Sequence, residues 1–303
     1  MGKATSEKQK EKIGRGKLAL NIIFSTFAAL FGFIAVLGWA LLVADNAAEA
    51  SARTTPDYEK VDLTEIIEKT EWSEEDYTTI YRQTGLTKLG ADAIKDTPFR
   101  LRDFQTALFF EGYTHHLAAA PTTQHDQLWD PDTQAAYTAP IVPLEKGDIL
   151  ISSSCHTFGW RNGHAAIIVD ADRGYTLESL ALGMNSTLNR NGAVWFQHAA
   201  NFMVLRLKDA DESVRADVAD VAMELLLDIP YSVTVGILSK KDQCSGRTKA
   251  SETHCSHLVW QAYKNFGYDL DSDGGGLVTC QDLSRSPLLE VVQVYGFNLE
   301  KLW

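Results

Sequence analysis

From residue 18 to residue 44 no side chain carries a charge, and beyond that run the hydrophobic positions break into short, regularly spaced groups. The run exceeds the roughly 20 residues that span a bilayer and is too long for the h-region of a signal peptide. Lys and Arg precede it, while Asp45 and Glu49 follow. The positive-inside rule therefore makes residues 1–17 a cytoplasmic basic tail, residues 18–44 a transmembrane anchor, and puts residues 45–303 outside. Ala48-Glu49-Ala50 and Ala50-Ser51-Ala52 also fit a small-x-small cleavage site, so the rival expectation is a secreted protein cut near residues 50–52. Met1-Gly2-Lys3-Ala4-Thr5-Ser6 fits a myristoylation pattern, which a spanning helix makes redundant.

Residues 45–60, rich in Ala, Thr and Asp, read as a linker, and residues 61–140 as a helical arm followed by a loop. Within the arm, Asp62 caps a segment carrying Leu63, Ile66 and Ile67. Ser73-Glu74-Glu75-Asp76 has the form of a capping box ahead of Tyr77, Ile80 and Tyr81, and Gly85 ends that run. Leu101, Phe104, Leu108 and Phe109 give a further apolar stripe. Pro121, Pro131 and Pro140 among polar residues predict a long loop over 119–140.

The signal changes at Leu144. Strands are predicted over 147–151, 164–169, 175–180 and 202–207, with a turn cluster at 170–174. A helix is predicted over 211–227 from Val214, Val218, Val221, Ala222 and Leu225. In a last helix Leu258, Val259, Ala262, Tyr263 and Phe266 recur at helical spacing and Gly267 marks the end. Ser251 and Thr253 are its candidate N-caps, which puts the start at or near Cys255. Strands followed by helices predict an α+β domain, an antiparallel sheet with helices on one side.

Charge changes the picture once. The chain carries −12 overall, but residues 1–17 hold six basic against two acidic residues, a net +4, which leaves −16 on the rest. So acidic a body does not hold nucleic acid or an anionic surface by charge.

Cys255 is the first candidate for chemistry. A thiol at a helix N-terminus faces unpaired N–H groups and the positive end of the dipole, which favours the nucleophilic thiolate. The bland alternative is a small buried core cysteine. A thiolate needs a base, and the base an orienting group. His164 opens a strand directly after Gly163, on a face with Ala166 and Ile168, and Glu178 lies within reach across a short hairpin.

Gly147-Asp148-Ile149-Leu150, Gly163-His164-Ala165-Ala166-Ile167-Ile168-Val169, Leu177-Glu178 and Cys255-Ser256-His257-Leu258-Val259-Trp260, with Pro230-Tyr231 upstream of the cysteine, follow one another in a telling order. Over residues 141–290 the chain resembles the circularly permuted branch of the NlpC-like cysteine peptidases, papain-like enzymes that include the YiiX/YebB-like hydrolases. The resemblance implies a permuted papain-like hydrolase domain over 141–303. Cys255 would be its nucleophile, His164 its general base and Glu178 the orienting residue, with Asn185 as fallback. Tyr231 would line the site, and backbone N–H groups at His254 and Cys255 would form the oxyanion hole. It implies a hydrolase that cleaves amide bonds through a thioester, most simply in bacterial cell-wall peptides, and the charge pattern around residues 18–44 places that hydrolase outside the cytoplasm. A lipid amidase or acyltransferase with the same machinery, and a non-enzymatic binding domain on the same fold, are the alternatives. No cofactor is implied.

The remaining candidates are weaker. Cys155-His156 places a thiol beside an imidazole, but neighbours on an extended chain point opposite ways. His257 is expected on the polar surface of its helix, while His254 is placed to touch substrate. His115 and His116 have no partners at ligand spacing, so no metal is expected there. Asp269-Leu270-Asp271-Ser272-Asp273-Gly274 copies half an EF-hand loop, yet Cys280 stands where its bidentate Glu belongs, so calcium is not expected. With Cys255 reserved, Cys244 and Cys280 bracket the catalytic helix and are expected to pair, closing a loop of about 36 residues worth about 3–4 kcal/mol in the chain-entropy model.

Overall fold

The uncharged run lies within one helix, α1 (Gly2–Ala50). Its stretch from Asn21 to Ala44 is long and apolar enough to cross a membrane and is 0% buried against the rest of the protein. Length and composition suit a membrane span and a signal sequence alike. The computed structural model describes residues 2–50, 53–120, 123–157, 160–245 and 247–301. Ser51 and Ala52 of the expected cleavage site, Met1 of the myristoylation pattern and Pro121 of the expected loop lie outside the described residues. From Arg53 onward the chain is fastened to the body. The Arg53 guanidinium donates to the carbonyls of Ala107 at 3.1 Å and Ala200 at 3.2 Å and lies over the Tyr295 ring, and the Thr54 N–H donates to Gly296 O.

Four short helices make up the arm: α2 (Thr64–Ile67), α3 (Glu74–Thr84), α4 (Lys88–Asp92) and α5 (Leu101–Leu108). The capping box at Ser73 is formed, with Asp76 returning a bond to the Ser73 N–H. Gly85 closes α3 in the left-handed region at φ 74°, where a Cβ would collide with the Val294 carbonyl.

The strands, in chain order, are β1 (Tyr113–Ala120), β2 (Thr123–Asp130), β3 (Ala135–Ala136), β4 (Ile149–Ser152) and β5 (Cys155–Thr157). After them come β6 (His164–Asp170), β7 (Tyr175–Glu178), β8 (Thr187–Asn189), β9 (Phe202–Leu207) and β10 (Leu289–Tyr295). The first sheet corrects the loop expected over 119–140. β1 and β2 form an antiparallel hairpin, and β3 and β5 pair with β2. The strands are polar yet ordered because their buried groups find partners. Asp126, fully buried on β2, accepts from His116 across the hairpin at 2.7 Å, from His156 on β5 at 3.1 Å and from Arg161 at 2.8 Å.

The main sheet runs β10-β9-β4-β6-β7-β8, antiparallel throughout. Its strands lack polar alternation because both faces are covered. Ile149, Ile151, Ala165, Ile167, Met203 and Leu205 pack against α7 (Glu212–Leu226), α8 (Cys255–Lys264) and α9 (Cys280–Ser284). On the opposite face Leu150, Ala166, Ile168, Phe202 and Val204 pack against the arm and α6 (Gly192–His198). Helices therefore flank the sheet on both sides, where the sequence predicted one. The arm supplies the second layer, with Ile80, Leu101 and Phe104 buried on the sheet. The molecule is thus α+β, with two antiparallel sheets and one N-terminal apolar helix.

Candidate active site

The catalytic candidates meet where β6 begins, β7 ends and α8 begins. His164 is the first residue of β6, paired with Ser152 on β4. Its ring is held between aromatic neighbours, parallel to Phe196 at 5.8 Å and edge-on to Trp195 at 5.1 Å. Its Nε2 faces Glu178 Oε2 at 2.5 Å, so the Nε2–H donates to the carboxylate and Nδ1 is left for the sulfur. The imidazole is hydrogen-bonded to Cys255 as well as to Glu178. The pair and its orienting group are all buried, Cys255 at 7% exposure, His164 at 3% and Glu178 at 1%.

Glu178 is itself fixed. Its Oε1 accepts from Thr176 Oγ1 at 2.5 Å, and Asn189 on β8 adds a further side-chain bond. Burial pushes the Glu178 carboxyl up, but the His164 hydrogen bond and charge, with the bonds from Thr176 and Asn189, hold it below its ordinary value. The sequence reading missed Thr176 and Asn189. Thr176 was legible, since residues two apart on a strand share a face; Asn189 becomes visible only from the register that sets it opposite Thr176. Asn185, the fallback, plays no such part: it is exposed, and its amide donates to Asp228 at 2.7 Å.

Cys255 is the first residue of α8. The N-cap is His254 rather than Ser251 or Thr253. Its Nδ1 accepts the His257 N–H at 3.4 Å, and its side chain also reaches Cys255. A hydrogen bond from Cys280, then those from His164 and His254, outweigh burial and hold the Cys255 thiol well below its ordinary value. Burial opposes charge on His164, but its bonds to Cys255 and Glu178 prevail and raise it. Both shifts favour the thiolate–imidazolium form of the pair.

Two expectations around this helix are corrected. Cys244 and Cys280 do not pair, and all four cysteines are free thiols. The Ser256 hydroxyl donates to Val278 O at 2.9 Å, which draws the segment before α9 beneath the start of α8 and sets Cys280 against Cys255. Cys244 instead meets Asn265 and the backbone of Ala250. His257 is not on the surface but fully buried, because residues 241–242 cover that side of α8. Its Nε2 donates to Lys241 O at 2.7 Å and its Nδ1 accepts from Thr253, while burial lowers it to about 4, so it is neutral at physiological pH.

Tyr231 sits close enough to Cys255 to feel the sulfur's charge, although burial is the larger cause of its raised value. It is placed by a parallel bridge to Thr253 and by its N–H bond to Met184 O. Cys155 also feels the Cys255 charge, but burial first and that charge second push its thiol well up, away from the reactive form.

Among the described residues, two groups of side chains have the spacing of metal ligands. His116, Asp126 and His156 bring their ligand atoms within 4.8 Å of one another, which overturns the expectation that His116 has no such partners. Arg161 balances the Asp126 carboxylate there. The other group is Asp271, Asp273 and Asp282. Asp271 pairs with Lys241, Asp273 accepts the Gly275 N–H, and Asp282 completes a capping box with Thr279.

No family model and no curated protein sequence matches the chain. Among solved structures, the crystal structure of the metalloprotein YiiX from Escherichia coli O157:H7 aligns with 50% of this chain and 97% of its own, at 16% identity and a TM-score of 0.36. At that TM-score the likeness carries no argument about this chain's fold or activity.

Proposed function

We propose that the chain is a membrane-anchored cysteine hydrolase whose residues 141–303 form a permuted papain-like domain. The observation that carries the reading is the buried relay Cys255–His164–Glu178, in that order of contact. The thiolate of Cys255 attacks a carbonyl carbon, and N–H groups at the start of α8 stabilise the oxyanion. His164 gives its proton to the leaving nitrogen, then takes one from the water that cleaves the thioester. Glu178 keeps the ring in register and stabilises the imidazolium, the role the third member of such triads plays.

The simplest substrate is a cell-wall peptide, reached from an anchor whose body lies outside the membrane. One observation favours a second reading, a lipid-borne amide. Leu180, Leu182 and Met184, on the loop after Glu178, and Val233, Ile237 and Leu238, on the loop after Tyr231, are exposed. The two loops are joined at Tyr231 N and Met184 O, at 3.1 Å, so exposed apolar side chains gather on the two loops that lead away from Glu178 and Tyr231. The full chain should be incubated separately with peptidoglycan fragments and with vesicles containing N-acyl lipids, and released amine measured. Release from one substrate, absent with Cys255→Ser, is expected; release that survives Cys255→Ser sinks the reading. Protease added to intact cells should remove the body and leave a membrane stub. A protected body would reverse the orientation, and a soluble protein beginning near Arg53 would mean cleavage.

A further inference from the structure

Cys280 was expected to serve as half of a structural disulfide, and the hydrolase mechanism gives it no step. Yet it is 1% exposed and opens α9 with its thiol against the sulfur of Cys255, which opens α8. The Ser256–Val278 bond fixes that approach from the residue after one cysteine to within two of the other. A cysteine that merely filled space would need only apolar neighbours. This one has its side chain in hydrogen-bond contact with that of Cys255.

We propose that Cys255 and Cys280 are a modification site: a hydroperoxide closes them into a disulfide, and a thiol reductant reopens it. The proposal rests on Cys255 being the thiolate nucleophile. In the first step the Cys255 sulfur attacks the peroxide. An S–O bond forms as the O–O bond breaks, the departing hydroxide or alkoxide takes the proton of the His164 imidazolium and leaves as water or an alcohol, and Cys255 becomes a sulfenic acid. That step removes the negative charge that hindered ionisation of Cys280. In the second step the Cys280 sulfur attacks the sulfenic sulfur, the S–S bond forms, and the hydroxyl leaves as water with the Cys280 proton. The two electrons taken up by the peroxide come from the two thiols. Reduction returns them by thiol–disulfide exchange, which regenerates the Cys280 S–H and the Cys255 thiolate with its proton on His164. While the bond is closed there is no nucleophile. When it is open the enzyme is active, and Cys280 protects Cys255 from oxidation beyond the sulfenic level.

The test is a non-reducing peptide map of the full chain after treatment with hydrogen peroxide, alongside iodoacetamide labelling of Cys255. A Cys255–Cys280 linked peptide is expected, with labelling down at least about tenfold and restored by dithiothreitol. Cys280→Ser should instead go to sulfinic acid at Cys255, which dithiothreitol does not reverse; should that variant not fold, the wild-type map decides alone. Cys244→Ser should behave as wild type. Cys255 found linked to Cys155 or Cys244, or over-oxidised with Cys280 still free in the wild type, would overturn the switch and leave Cys255 standing as nucleophile. A Cys255 that peroxide does not touch would overturn both.

Discussion

His164→Ala is expected to lower the rate of amide hydrolysis by about 10²–10⁴, the contribution of a positioned general base. The loss should fall on kcat, because the proposed role of His164 is to move protons during the reaction, at a ring packed between Trp195 and Phe196. Glu178→Gln should cost less, since an amide oxygen still accepts the Nε2–H, but it removes the charge that helps hold the imidazole protonated. For the wild type, the sign of the two shifts sets the pH profile. The Cys255 value is lowered, so thiolate is lost only as pH falls through that depressed value. The His164 value is raised, so imidazolium is lost only as pH rises through it. Activity should therefore form a broad plateau through neutral pH. Removing His164 should erase the acid half of that plateau.

Arg206→Met should have the largest effect on stability. Arg206 on β9 forks onto Asp148 at the head of β4, with Nε to Oδ1 and Nη2 to Oδ2, both at 2.8 Å, and also bonds Glu145. Asp148 is fully buried, and burial pushes its carboxyl up even with the arginine in place. Removing one partner of such a pair leaves an uncompensated buried charge, at a cost of about 3–5 kcal/mol. In the variant the folded state holds a proton on Asp148 at pH values where the unfolded chain does not, so stability falls as pH rises. The deficit, measured by urea denaturation, should shrink toward acid pH. A deficit under about 1 kcal/mol, or one that does not vary with pH, would show that the pair is not load-sharing in the fold.

The relay was legible in the sequence because each of its members sits at a position with local meaning. Cys255 opens an amphipathic helix, His164 opens an apolar strand, and Glu178 follows on the next strand. The cover on the sheet was half legible. The unbroken apolar run at 165–169 already called for two buried faces, and only the arm's separation in sequence concealed what lay on the second. The β1–β2 hairpin was not legible, since its strands are polar and their order depends on a cluster of groups around Asp126 drawn from three strands and the loop after β5. β10 was overlooked despite Val291, Val292 and Val294, a strand signal beyond the motifs. Cys280 was misassigned because spacing alone cannot say which thiol a cysteine meets; the turn fixed by Ser256 and Val278 decides that.

The most direct test of the Cys255–His164 relay is the rate of iodoacetamide labelling at Cys255 as a function of pH, in the wild type and in His164→Ala. The wild type should label rapidly, at a rate nearly constant from about pH 6 to 8 and faster than at Cys155, because the thiolate is already formed. The variant should label slowly near neutrality, with a rate that climbs toward the pKa of an ordinary thiol, about 8.5. Two coincident curves, both centred near that ordinary value, would contradict the relay and favour a binding domain without catalytic chemistry.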